Sequence, residues 1–154
     1  MPLPIISADS HITEPAGTYL DHIDPAFRER APRLVNHEKA GDLFVIDGMP
    51  RPVPMGLVAA AGKPAEELRV TGARFDDLHR GGGDPAARAA EQERDGVAAE
   101  VLYPSVGMVI CNHPDLDYKK ACFDAYNRWI AEYCDYQPER LLGCGQTAMR
   151  TPEE

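Results

Sequence analysis

Pro4-Ile5-Ile6-Ser7-Ala8-Asp9-Ser10-His11 is a short apolar run that ends in a carboxylate and an imidazole one residue apart. Side chains alternate along a β-strand, so a strand over residues 4–9 projects Asp9 and His11 the same way, with Ile5 and Ala8 as buried strand residues. A carboxylate oxygen and an imidazole nitrogen at one strand terminus suit a divalent cation. The triplet alone also has a plainer reading, a surface turn in which Asp9 caps the segment that follows.

Downstream, strand and helix signals alternate. Asp24-Pro25-Ala26-Phe27-Arg28-Glu29-Arg30 offers an N-cap, a proline at the first helical position and a short helix halted before Pro32. Leu43 to Ile46 and Met49 to Val53 flank Asp47-Gly48, a pair suited to a tight hairpin turn, and Pro50, Pro52 and Pro54 confine the second arm to an edge. Residues 55–83 read as loop, and Gly81-Gly82-Gly83 as a connector, since it follows no strand and lacks the Lys-Ser/Thr sequel of a phosphate loop. Asp84-Pro85 opens a helix through Asp95 that Gly96 terminates. A strand over Ala98–Tyr103 ends at Pro104. Tyr118, Ala121, Cys122, Ala125, Tyr126, Trp129, Tyr133 and Tyr136 then recur at three- and four-residue steps, which predicts a helix over 117–136 with one apolar stripe. Leu141 to Ala148 reads as a third strand, and Thr151-Pro152-Glu153-Glu154 as the start of another helix. Helices that cross over between strands indicate an α/β fold with a parallel sheet.

The stretch Ile5 to Pro15 resembles the opening of the amidohydrolase-related family, the branch of the amidohydrolase superfamily that includes aminocarboxymuconate-semialdehyde decarboxylase and the hydroxybenzoate decarboxylases. Phe44-Val45-Ile46-Asp47-Gly48, Gly56 to Pro64, Asp84-Pro85-Ala86-Ala87-Arg88, Asp95 to Ser105 and Tyr126-Asn127-Arg128-Trp129 resemble further segments of that family, in its order. The resemblance implies a metal-dependent (β/α)₈ (TIM) barrel. Such barrels need on the order of 200 to 250 residues, whereas this chain has 154. The expectation is therefore the N-terminal portion of the barrel: about three parallel strands with long loops, an incomplete domain over 1–154 in which 37–83 form an inserted hairpin and loop region.

The resemblance further implies that an acid-x-His motif on the first strand gives two metal ligands, here Asp9 and His11, while a further His and an Asp come from later strands. Asp9 stands where some relatives carry His or Glu, which keeps an oxygen ligand and leaves the ion as zinc first, manganese second. The implied activity is that of a metal-dependent hydrolase or non-oxidative decarboxylase (lyase) acting on a small carboxylated or carbonyl-bearing substrate. The competing reading is a catalytically inactive half-barrel that serves as a structural or self-associating piece. The general base is not assigned.

Other candidates have ordinary explanations. Glu14, three residues after His11, reads either as an acceptor for the imidazole N–H or as a loop cap before Pro15. His113 sits in the expected rim loop and reads as solvent-facing; His22, His37 and His79 read as surface. Tyr103 ends a strand at the rim, and the helical stripe accounts for Trp129 by burial. No G-x-S-x-G elbow supports a nucleophilic serine.

Hydrophobic residues make up 44% and charged residues 27%, ordinary globular values. The formal charge of −9, from 16 basic and 25 acidic residues, opposes binding to nucleic acid or an anionic membrane surface. No stretch approaches the roughly 18 apolar residues of a membrane span, and no secretory signal opens the chain. A cytoplasmic protein is the expectation, with a small molecule as partner and a homo-oligomer permitted. Cys111, Cys122, Cys134 and Cys144 lack C-x-x-C spacing and read as reduced thiols.

Overall fold

The computed structural model describes residues 3–58, 60 and 62–153. Ala59 and Ala61 of the Gly56–Pro64 segment, and Glu154 of the final helix signal, lie outside them. Two small sheets organise the described chain. Strands β1 (Ile5–His11), β5 (Val97–Tyr103) and β6 (Leu141–Gly143) form a parallel sheet in the order β1-β5-β6, and β2 (Arg33–His37), β3 (Gly41–Val45) and β4 (Val53–Pro54) form an antiparallel one. The helices are α1 (Gly17–Leu20), α2 (Pro85–Asp95), α3 (Val106–Ile110) and α4 (Leu116–Cys134), with short 3₁₀ turns between them. This is the α/β order expected from the sequence, with α2 leading into β5 and α4 joining β5 to β6.

Helices begin where the sequence places their caps. Asp84 accepts from the N–H groups of Ala86 (3.0 Å) and Ala87 (3.2 Å), Pro85 opens α2, and Gly96 closes it at φ 69°. Asp24 likewise caps a turn that begins at Pro25, although that turn is 3₁₀. Asp115 caps α4 through the Tyr118 N–H at 3.1 Å. The buried stripe of α4 differs from the expected one. Phe123 and Ile130 are buried with Tyr118, Ala121, Cys122, Ala125, Tyr126 and Tyr133, whereas Trp129 is half-buried and Tyr136, past the helix end, is exposed.

Five other expectations are corrected. The strand partner of 41–45 is first of all Arg33–His37, which the sequence reading left unassigned; the arm after Asp47-Gly48 contributes only Val53–Pro54, opposite Phe44 and Leu43. The rim loop after Pro104 contains the short helix α3. The third parallel strand stops at Gly143, and residues 151–153 form a bend and turn rather than a helix. Ile5 and Ala8 are exposed, Ile5 at 60%. The parallel sheet is covered by helices on one side, where Leu102 and Leu141 are buried, while Ile5, Ile6 and Leu142 stay in contact with solvent.

The inserted sheet is locked to the rest by the turn at Asp47-Gly48. Arg30 lies over the Tyr118 ring (4.7 Å) and bridges Asp47 (2.6 Å) and Asp115 (3.2 Å). His113 is buried rather than solvent-facing. A carbonyl only accepts, so its Nε2–H donates to Asp47 O (2.8 Å), while its Nδ1 sits against the Asp115 backbone, 3.1 Å from N and 3.3 Å from O. Gly48 takes φ 76°, and a Cβ there would stand 2.7 Å from His113 Nε2. Gly96 takes a similar φ with open space around it. Gly96→Ala is therefore expected to cost about 1–2 kcal/mol for the left-handed backbone alone. Gly48→Ala should cost clearly more, because it also displaces a buried histidine. Urea denaturation of the two variants gives the comparison, and equal losses would show that the His113 contact adds nothing.

Candidate functional site

Asp9 and His11 come together at the C-terminal end of β1, for a reason that simple alternation does not capture. Ser7 pairs with Glu100 and Ser10 with Leu102, so β1 carries one residue more than β5 over this span. This bulge puts the Ser7 and Ser10 hydroxyls within 2.7 Å of each other, three residues apart in sequence. Regular alternation is broken between Ser7 and Ser10, the stretch that contains Asp9. Asp9, inside the irregular stretch, and His11, just past it, nonetheless come together: Asp9 Oδ1 lies 3.5 Å from His11 Nε2.

The other ring nitrogen fixes the chemistry of this pair. His11 Nδ1 lies 3.0 Å from the carbonyl oxygen of Pro104, which only accepts, so Nδ1 carries a proton and Nε2 is the nitrogen turned to the Asp9 carboxylate. A carboxylate oxygen and a ring nitrogen, both able to give an electron pair to a metal ion, face each other. Ligands at 2.0–2.1 Å from one tetrahedral ion are separated by roughly 3.3–3.4 Å, close to the separation seen here. The carboxylate is 85% exposed and the imidazole 40%, so both are accessible. The donor set fits a divalent cation. Among the described residues no group of three or more His, Cys, Asp or Glu side chains is placed to hold a metal.

Around the pair runs a cleft of about 970 Å³ whose walls include Ser10, His79, Arg88, Glu91, Ser105 and Met108. Across the sheet His11 is in register with Tyr103, ring centroids 6.0 Å apart. The Cys144 thiol beside the Tyr103 hydroxyl pushes that phenol above its ordinary range. On the helix-covered side of the sheet, Glu100 accepts from Arg88 through Nε (2.6 Å) and Nη2 (2.9 Å), from Gln92 (2.7 Å) and from Ser10 (2.8 Å). Burial pushes the Glu100 carboxyl up, but these bonds and the Arg88 charge outweigh it and hold it below the usual carboxylate range. Arg88 also donates to His11 O at 3.0 Å. The network ties α2 and β5 to the backbone of the candidate ligands.

Glu14 has neither of the neighbourhoods expected for it. It is fully buried, and its carboxylate accepts from the N–H groups of Ser105 (3.1 Å), Val106 (3.0 Å) and Gly107 (2.9 Å), with the Tyr19 hydroxyl at 3.4 Å. It caps α3, 91 residues away, rather than its own loop. Burial raises its carboxyl above the ordinary range, against the lowering effect of those amides. The pattern E-P after a metal-type triplet carries no sign of so distant a partner.

The remaining candidates play structural parts. His22 bridges Thr18 O (3.1 Å) and Glu132 (3.2 Å), and His37 accepts from the N–H groups of Lys39 and Ala40. His79 is exposed on the cleft wall. Asn127 brackets the backbone of Gln146, donating to its O (2.8 Å) and accepting from its N–H (2.7 Å), which holds the segment after β6 against α4. The four cysteines are unpaired. No helix among the described residues is long and apolar enough to cross a membrane.

No family model matches this chain, and no curated protein does. Among solved structures, it is similar to the crystal structure of an amidohydrolase from Mycobacterium avium subsp. paratuberculosis K-10, with a TM-score of 0.63 and 19% sequence identity. The match covers 94% of this chain and 43% of that one, so the chain spans less than half the length of the protein it matches. The parallel three-stranded sheet, its crossover helices and the inserted antiparallel sheet together have the fold of part of an amidohydrolase.

Proposed function

We propose that this chain carries part of the active site of a metal-dependent enzyme of the amidohydrolase type, with Asp9 and His11 as two of the ligands of a divalent ion, zinc first and manganese second. The observation that carries the reading is His11 Nε2 aimed at a carboxylate oxygen 3.5 Å away while Nδ1–H is held by Pro104 O. A divalent ion bound there supplies Lewis-acid polarisation of a carbonyl or carboxylate oxygen and acidifies water. The chain's own residues present the two donors, fix the imidazole tautomer and open a cleft large enough for a small carboxylated or carbonyl-bearing substrate. Hydrolysis and non-oxidative decarboxylation both draw on that chemistry.

Equilibrium dialysis against Zn²⁺ and Mn²⁺ tests the reading. One ion per chain is expected, held weakly because two protein ligands are fewer than the three or four of most zinc sites. No saturable uptake of either metal would overturn it.

The open sheet favours a second reading beside the first, a self-associating piece. Ile5, Ile6 and Leu142 expose apolar surface on β1 and β6, edge strands that each pair with β5 on one side, and open strand edges pair with other chains. Light scattering behind size exclusion distinguishes a concentration-dependent oligomer from a monomer.

A further inference from the structure

The geometry points to Glu14 as a positioning residue for His11, acting through the single peptide group that joins Pro104 to Ser105. The carbonyl of that peptide accepts the His11 Nδ1–H at 3.0 Å, and its N–H, on Ser105, donates to the Glu14 carboxylate at 3.1 Å. One planar amide thus has a buried carboxylate on one side and an imidazole on the other. Hydrogen bonds in series polarise one another, so the carboxylate on the N–H makes the carbonyl a stronger acceptor and favours the tautomer with the proton on Nδ1. In the neutral ring, that tautomer puts the lone pair on Nε2, the nitrogen on the Asp9 side.

The surroundings hold this peptide in place. Ser105 Oγ donates to Ile12 O at 2.7 Å, and Ile12 N–H donates to Tyr103 O at 3.0 Å, so the ends of β1 and β5 are stitched together on both sides of the relay. Glu14 is fully buried, and the Val106 and Gly107 amides fix its oxygens from the far side. An ionised carboxylate is acceptor-only and matches three N–H donors; a glutamine at this position must turn an NH₂ toward at least one of them. Metal-binding histidines commonly give their second nitrogen to a carboxylate or a backbone carbonyl. Here the two devices are joined end to end, the carbonyl in contact and the carboxylate one peptide further back.

The functional consequence rests on His11 being a metal ligand, but the relay is read without metal. Long-range ¹⁵N–¹H spectra of the imidazoles of the metal-free chain should show His11 protonated at Nδ1 alone. In E14Q, with the fold verified by the amide spectrum outside residues 12–14 and 104–107, the two His11 nitrogen shifts should move toward each other as both tautomers become populated, and zinc affinity should fall roughly 10- to 100-fold. A carboxylate that only capped α3 would lower stability on substitution and leave the His11 shifts where they were, and that result overturns the proposal. If E14Q does not fold, couplings across the two hydrogen bonds of the unaltered chain decide, from Ser105 N to the Glu14 carboxyl carbon and from His11 Nδ1 to the Pro104 carbonyl carbon. Both present supports the relay; either one missing removes it. Tautomers that respond in a chain that binds no zinc would leave the relay standing and end the metal reading.

Discussion

Replacing His11 with alanine is expected to lower the affinity for zinc by more than about 100-fold while leaving the fold in place, with Asp9→Ala close behind. Removing a group that only orients a ligand already costs roughly 10- to 100-fold, and removing one of two ligands must exceed that. The fold should survive because both side chains sit at the end of an exposed strand, 40% and 85% accessible, and neither belongs to the core. His11 loses one hydrogen bond to a carbonyl, on the order of 1 kcal/mol. Competition with a chromogenic chelator measures the affinity, and urea denaturation measures the stability. A variant that kept wild-type affinity would place the ion elsewhere. One that lost the fold together with the metal would give His11 a structural part that its exposure does not suggest.

Arg88→Ala should have the largest effect on stability. Glu100 and Arg88 are each about a tenth exposed in their side chains, and the guanidinium supplies two of the four hydrogen bonds on the carboxylate. Taking one partner from a buried pair leaves a charge without compensation, a loss of about 3–5 kcal/mol. Arg88→Met with Glu100→Leu together should cost much less, because no charge is then stranded. The pH dependence follows from the lowered carboxyl of Glu100. A group with a depressed folded value gives its full stabilisation above the ordinary carboxylate range, and that contribution disappears as the pH falls through the folded value. Wild-type stability should therefore drop on acidification below the ordinary range, and the double variant should show less of that drop. Equal acid sensitivity in the two proteins would mean that the pair is not the source.

Local chemistry was legible in the sequence where single residues act on their own neighbourhood. Asp84, Pro85 and Gly96 bound a helix because a cap, a preset φ and a left-handed residue are properties of one position each. Asp9 and His11 stand out as a candidate pair because they are two residues apart on one strand. What stayed hidden is long-range or depends on register. The extra residue between Ser7 and Ser10 is a property of β1 against β5, and neither strand announces it alone. Arg33–His37 carries too little alternation to read as a strand until Gly41–Val45 is laid beside it. His113 and Glu14 take their roles from Asp47, Asp115 and the 105–107 amides, partners that polar residues in loop-like text do not reveal. The exposure of Ile5 and Ala8 has a similar origin. An apolar strand predicts that something covers it, and in the described residues the cover lies on one side of the sheet only.

The ¹⁵N spectrum of the histidine rings during addition of Zn²⁺ to the chain tests the central claim most directly. The account predicts a saturable shift of His11 Nε2, with Nδ1 still protonated against Pro104 O and the rings of His22, His37, His79 and His113 unmoved. A His11 signal that stays in place while zinc is taken up, or a shift confined to another histidine, would contradict it.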